Sequence, residues 1–261
     1  MEVVIVEKPE EIGRVVADAV AGVLASRARP TLGLATGSSP LPVYQELIRR
    51  HREEGLSFQA ASAFLLDEYL GLDAAHPELY RTFAERSFVG QVDFEQGRLF
   101  GPDVHAKRAD VSCKEYEAQI AAAGGIDLQL LGIGSDGHIG FNEPSSSLGS
   151  RTRIKTLTRA TRCDNARFFG GQIEAVPRHV ITMGIGTILE ARHLVLIAMG
   201  EGKATCLAEA VEGPLTAMVP ASALQLHPHA TIVADEAAAH KLKLLDYYKE
   251  TYREKPDWQG C

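Results

Sequence analysis

The densest chemistry in this chain of 261 residues lies in Gly132-Ile133-Gly134-Ser135-Asp136-Gly137-His138-Ile139-Gly140-Phe141-Asn142-Glu143-Pro144, where an imidazole stands between two carboxylates. Asp136 and Glu143 can orient His138, tune its pKa and exchange protons with it, which suits acid–base work on an oxygen atom. A glycine-rich turn whose polar groups only satisfy backbone is the plainer alternative, and it leaves the clustering of acid, imidazole and acid unexplained. Gly132, Gly134 and Gly137 also fit the literal G-x-G-x-x-G pattern of dinucleotide sites. That reading fails on context, because an acid lies inside the turn and Pro144 soon follows. About 20 residues on, where a ribose-binding acid belongs, the chain is basic at Arg151, Arg153 and Lys155.

Three further stretches carry charge or hydroxyls next to apolar runs. Asp67-Glu68-Tyr69 follows Phe64-Leu65-Leu66 and sets a carboxylate at the mouth of a sheet, where partial burial would raise its pKa towards that of a general base. Taken alone, such an acid is equally a cap or an ion-pair partner. Thr36-Gly37-Ser38-Ser39-Pro40 is a small hydroxyl-rich turn that feeds a helix N-terminus, a place that attracts anions or is simply a capped turn. Gly200-Glu201-Gly202-Lys203 places Lys203 in a first helical turn whose dipole repels it, a conflict that a bound anion would resolve. Arg167, in Asn165-Ala166-Arg167-Phe168-Phe169, is a second cation open to the same reading or to simple exposure.

These residues need a scaffold, and the alternation of short apolar runs with helix-period segments predicts one. The class is α/β, a mostly parallel open sheet with helices on both faces in a Rossmann-like three-layer sandwich. Strands are predicted over residues 3–6, 32–35, 64–66, 128–133, 193–199 and 230–234. Helices are predicted over 9–26, with Ile12, Val15, Val16, Val20 and Val23 inward, from Ser39-Pro40 with Ser39 as cap, and over 201–212 and 236–248. Residues 71–125 show no clear pattern. Ligands of open parallel sheets collect at the carboxyl ends of the strands, and all four stretches lie there.

With 45% apolar and 23% charged residues and no long Gly/Ser or Pro-rich linker, one domain over 1–261 is expected. The formal net charge of −7, from 27 Lys and Arg against 34 Asp and Glu, disfavours nucleic acid and anionic membranes. No segment is apolar over a bilayer's width, and the acidic N-terminus is unlike a signal peptide, so a cytoplasmic location is expected. Cys113, Cys163, Cys206 and Cys261 form no C-x-x-C pair and read as reduced thiols. His227 and His229 lack a third partner at metal-ligand spacing, so no metal is expected.

At these residues the chain resembles the glucosamine-6-phosphate deaminase family, which shares its fold type with 6-phosphogluconolactonase and ribose-5-phosphate isomerase. The likeness covers nearly the whole chain through residues 34–40, 67–72, 76–81, 132–157, 165–169, 200–203 and 222–228, most specifically through the block 136–144 followed by Ser150-Arg151-Thr152-Arg153. It implies that Asp67 shuttles a proton between sugar carbons C2 and C1, through an enediol-like or enolamine intermediate. It implies that His138 opens the pyranose ring with help from Asp136 and Glu143, and that Ser38, Ser39, Arg167 and Lys203 hold the phosphate. The implied products of glucosamine 6-phosphate are fructose 6-phosphate and ammonia, with no cofactor. Some members are hexamers activated by N-acetylglucosamine 6-phosphate near positions matching Ser147, Arg153 and Lys155. A galactosamine-6-phosphate deaminase/isomerase, a 6-phosphogluconolactonase and a non-catalytic sugar-phosphate sensor are the rival readings on this scaffold.

Overall fold

A computed structural model of the chain describes residues 1–256 and 259. In chain order the elements are β1 (Glu2–Val6), α1 (Pro9–Ser26), β2 (Thr31–Leu34), α2 (Leu41–Glu54), β3 (Ser62–Leu65), β4 (Asp67–Tyr69), α3 (Tyr80–Ser87), β5 (Leu99–Phe100), α4 (Ala109–Ala122) and β6 (Leu128–Gly132). They continue with β7 (Arg153–Thr156), α5 (Arg159–Asn165), β8 (His179–Thr182), α6 (Ile185–Leu189), β9 (His193–Ala198), α7 (Ala204–Glu212), β10 (Ala230–Asp235), α8 (Glu236–Ala239) and α9 (Leu245–Arg253).

Seven strands form the expected parallel sheet in the order β1-β10-β9-β6-β2-β3-β5. Its central strands are apolar without alternation because both faces are covered. Leu131, Leu194, Leu196 and Ile232 point to one core with Leu207 and Leu224, while Leu130, Val195, Ile197 and Val233 point to the other with Ile12, Val16 and Tyr44. The predicted helix over 9–26 is present, with Ile12, Val16 and Val20 buried and Val15 and Val23 partly covered. Among the described residues no helix is long and apolar enough to cross a membrane. Cys113 and Cys206 are buried free thiols and Cys163 an exposed one, whereas Cys261 lies outside the described residues.

A second sheet was not legible in the sequence. Strands β4, β8 and β7 pair antiparallel in that order, and β4 begins at Asp67, one residue after β3 ends. Leu66 is the single link: its N–H donates to the Leu34 carbonyl in the large sheet, and its carbonyl accepts from Met183 N beside the small one.

Three predicted helices differ. The one expected to start at Ser39 starts at Leu41 with Pro40 in the cap position and no side-chain cap, so the Ser39 hydroxyl is not spent on the helix. The one expected over 236–248 is broken between α8 and α9, because the Glu212 carboxylate accepts from Lys243 N and Leu244 N at 2.8 Å each and pulls those amides out of the helical pattern. Residues 201–203 form a tight 3-10 turn that runs into α7, which shortens the helix predicted over 201–212. No helix opens within the glycines after β6; the next one is α5.

Candidate active site

The loops that follow β2, β6 and β9 converge with β4 on one cavity of about 580 Å³, lined among others by Ser38, Ser39, Asp67, His138, Arg167 and Lys203. It sits at the carboxyl end of the sheet, where β6 is flanked by β2 and β9.

One side of this cavity is built for an anion. Gly37 takes a left-handed conformation (φ 87°) that turns Ser38 and Ser39 into the mouth ahead of α2, and Ser39 packs against Gly132. Lys203 occupies the cap position of α7. The turn that presents it is pinned by Asp235, whose two carboxylate oxygens accept from Gly200 N at 3.0 and 2.9 Å, while Oδ1 also caps α8 through Ala238 N. Arg167 lies over the Phe168 ring, 4.7 Å from its centre. Among the described residues neither Lys203 nor Arg167 has a carboxylate partner. Two unpaired cations, two hydroxyls and a helix N-terminus facing one cavity make an anion cradle.

Asp67 faces the same cavity from β4. It is 5% exposed and accepts no hydrogen bond from the protein among the described residues. Burial, with the neighbouring Glu68 charge adding to it, pushes its carboxyl well above the usual carboxylate range. Glu68, on the opposite face of the strand, has a different fate: it accepts from Tyr69 N, Tyr80 N and Arg81 N at 2.8–2.9 Å and so caps α3. Of two adjacent buried acids, one is satisfied and structural, and the other is left open.

The loop from β6 carries His138. Its Nδ1 lies 2.6 Å from Asp136 Oδ1, and its backbone N–H donates to the same oxygen. The hydrogen bond to the imidazole holds the Asp136 carboxyl below its ordinary range. An ionised Asp136 can only accept, so the shared proton sits on Nδ1 and Nε2 is the working nitrogen. Gly134 makes this pose possible, since a Cβ there would fall 2.2–2.4 Å from the imidazole ring atoms. Gly140 (φ 58°) brings the loop close over Asp67, and a Cβ there would meet Thr182 Oγ1 at 2.9 Å and Asp67 Oδ2 at 3.5 Å.

Glu143 is buried, but among the described residues it makes no hydrogen bond to His138. Its Oε1 accepts instead from the hydroxyls of Thr158, which caps α5, and of Thr161, so it ties the loop after β6 to the segment covering the cavity. That segment brings residues the sequence reading passed over. Asn165 Nδ2 donates to the Tyr69 hydroxyl at 2.9 Å, Phe169 packs edge-on against Tyr69, and Tyr80 stacks on Phe141. An aromatic wall is a signal that spacing could have offered, but its rings come from four separate elements. Ser147, Arg153 and Lys155 do not line this cavity. The Ser147 hydroxyl accepts from Gly149 N, and Arg153 and Lys155 occupy alternate positions on one face of β7.

A cation-lined anion cradle facing an oriented imidazole and a buried carboxylate that accepts no hydrogen bond among the described residues is an arrangement able to hold a small anion and move a proton on it. The chain belongs to the family of glucosamine-6-phosphate isomerases/6-phosphogluconolactonase, which it matches over residues 7–233. It is 56% identical to a glucosamine-6-phosphate deaminase of Mycolicibacterium smegmatis and 57% identical to one of Streptomyces coelicolor, each over 260 residues and the full length of both chains. The solved structure of a monomeric glucosamine-6-phosphate deaminase superposes with a TM-score of 0.90 at 39% identity, covering 92% of this chain and all of the other. A 6-phosphogluconolactonase from Thermotoga maritima shares the fold, with a TM-score of 0.70 at 17% identity over 90% of this chain and 98% of its own.

Proposed function

We propose that this chain, acting as one domain over 1–261, converts glucosamine 6-phosphate and water into fructose 6-phosphate and ammonia. The observation that carries the reading is that Asp67, buried and without a protein partner among the described residues, faces the same cavity as two cations that form no ion pair among those residues. Ser38, Ser39, Arg167 and Lys203 hold the phosphate and thereby fix the sugar's far end. His138, oriented by Asp136, handles the ring-oxygen proton and opens the pyranose. Asp67 then takes the proton from C2 and returns it to C1, which leaves an imine at C2 that water hydrolyses to the ketone with loss of ammonia. The raised pKa of Asp67 suits a base that must both accept and give back a proton. Glu143 joins this set as a carboxyl assisting His138, and its hydrogen bonds from Thr158 and Thr161 hold it where the cover meets the loop. An effector site for N-acetylglucosamine 6-phosphate at Ser147, Arg153 and Lys155 belongs to the same proposal, supported by two cations on one face of β7.

Ammonia release is measured with glucosamine 6-phosphate and galactosamine 6-phosphate, and acid release from 6-phosphogluconolactone is followed in parallel. Turnover is expected to favour glucosamine 6-phosphate. Faster turnover of galactosamine 6-phosphate, lactone hydrolysis without ammonia release, or tight substrate binding with no product would overturn the assignment in favour of the matching rival.

A further inference from the structure

The catalytic loop is held from behind by an amide that has every hydrogen-bonding atom occupied. Asn142 is 0% exposed; its Nδ2 donates to the carbonyls of Ile139 at 3.0 Å and Met183 at 2.8 Å, and its Oδ1 accepts from Arg153 Nη1 at 2.8 Å. Two carbonyl acceptors fix which end of the amide is nitrogen, so the oxygen can be served only by a donor, and Arg153 is that donor. A second anchor lies beside it, where Thr182 Oγ1 accepts from Phe141 N at 3.1 Å. Thr182 pairs with Asp67 on one side and with Arg153 on the other, so base, anchor and guanidinium occupy one row across the small sheet. Directly opposed residues of antiparallel strands share a face, and the loop lies across that face at Gly140.

We propose that Arg153 is a positioning residue for the reaction: through Asn142 it clamps residues 137–142 onto β8, which keeps Gly140 over Asp67 and His138 in register with the sugar. This rests on the reaction proposed above. The guanidinium is half-buried and finds no carboxylate among the described residues; its recorded partners are neutral oxygens, Asn142 Oδ1 and, at 3.5 Å, the Arg151 carbonyl. A cation kept there only for charge would be paired or solvated. Removing it leaves a buried amide oxygen without a donor, and the loop must shift to find one.

The test compares Arg153→Met and Arg153→Gln with the wild type for kcat and KM of ammonia release, first without effector and then with N-acetylglucosamine 6-phosphate added, and for amide hydrogen exchange across residues 137–142 without effector. Arg153→Met is expected to lower kcat about tenfold or more through misplaced groups, with KM changed less than about twofold because the phosphate cradle is untouched. Exchange in 137–142 is expected to accelerate, and Arg153→Gln, which retains a side-chain donor, is expected to recover part of both effects. Unchanged kcat with loss only of a response to N-acetylglucosamine 6-phosphate would make Arg153 an effector ligand and nothing more, which overturns the proposal. Unchanged exchange across 137–142, or a loss confined to KM, overturns it as well. If Arg153→Met does not fold, Arg153→Gln decides by the same two readings. Wild-type protein that releases no ammonia refutes the reaction instead, and the exchange comparison still decides the clamp.

Discussion

The two ends of the parallel sheet carry the same kinds of residue and use them in opposite ways. At the amino ends, a cavity of about 310 Å³ is bordered by Asp127, Arg192, His193 and His229. Asp127 there accepts from Thr31 N at 2.9 Å and from Arg192 at 3.0 Å, with Arg27 at 3.4 Å. His193 stacks on His229 at 3.6 Å between ring centres and shares a hydrogen bond with Thr231. At the carboxyl ends, among the described residues, Asp67 accepts no hydrogen bond from the protein, and Lys203 and Arg167 form no ion pair. Both ends hold acid, imidazole and cation, so residue type alone does not mark a site. What distinguishes the carboxyl end is charge left without a protein partner among the described residues, and charge left so in a cavity points to an outside partner.

The sharpest way to break that contrast is to neutralise the open acid. Asp67→Asn is expected to cut ammonia release by about 10²–10⁴-fold, in line with the loss of a general base, and to abolish isotope exchange at C2. Phosphate binding should be largely retained. Because burial raises the folded-state pKa of Asp67, its ionisation at neutral pH opposes folding; stability contributed by this group is present below its unfolded pKa and lost as pH rises through the folded one. The same variant is therefore expected to melt about 2–4 °C higher at neutral pH. C2 exchange that survives the substitution would remove Asp67 from its role. A smaller effect is expected at the anion cradle, where Lys203→Met should raise KM about tenfold or more by removing one charge-assisted contact, a change read directly from saturation curves. An unchanged KM would mean that the unpaired cation serves no anion.

The smallest effect on turnover is expected at the satisfied end. Burial, with the imidazoles of His229 and His227 adding to it, lowers the pKa of His193 to about 3. The unfolded residue titrates near about 6.5, so between those values the unfolded chain binds a proton that the folded one refuses. Its contribution to stability is whole above that window and declines as pH falls through it. Urea unfolding at pH 7.5 and pH 5 should show a smaller loss for His193→Gln than for the wild type, with kcat at pH 7.5 unchanged. Equal losses would place the titration elsewhere.

The sequence showed the parts of this arrangement whose signals are local. Apolar runs located the central strands because strands buried on both faces have no alternation to misread, and the residues just beyond four of them line the cavity. The small sheet was hidden because β4 has three residues and β7 and β8 four each, lengths at which periodicity carries little information. Glu68 and Glu212 were missed for another reason: each acts on backbone amides distant in sequence, Glu68 at Tyr80 and Arg81, and Glu212 at Lys243 and Leu244. Asn142 stood in plain view inside the catalytic block, yet nothing in spacing announces a residue whose partners are Met183 and Arg153. Glu143 was read as a companion of His138 from proximity along the chain, and the hydroxyls of α5 compete for it in space.

The one-residue passage at Leu66 makes it a matter of parity which of two acids faces the cavity. Consecutive strand residues face opposite ways, so lengthening or shortening that passage by one residue would turn Glu68 toward the cavity and send Asp67 beneath α3. The longer acid would then enter a cavity shaped for the shorter one, and a helix would lose its fitted cap. A catalytic site and a neighbouring fold element thus depend on the same count of atoms, and a slip there would cost both at a stroke.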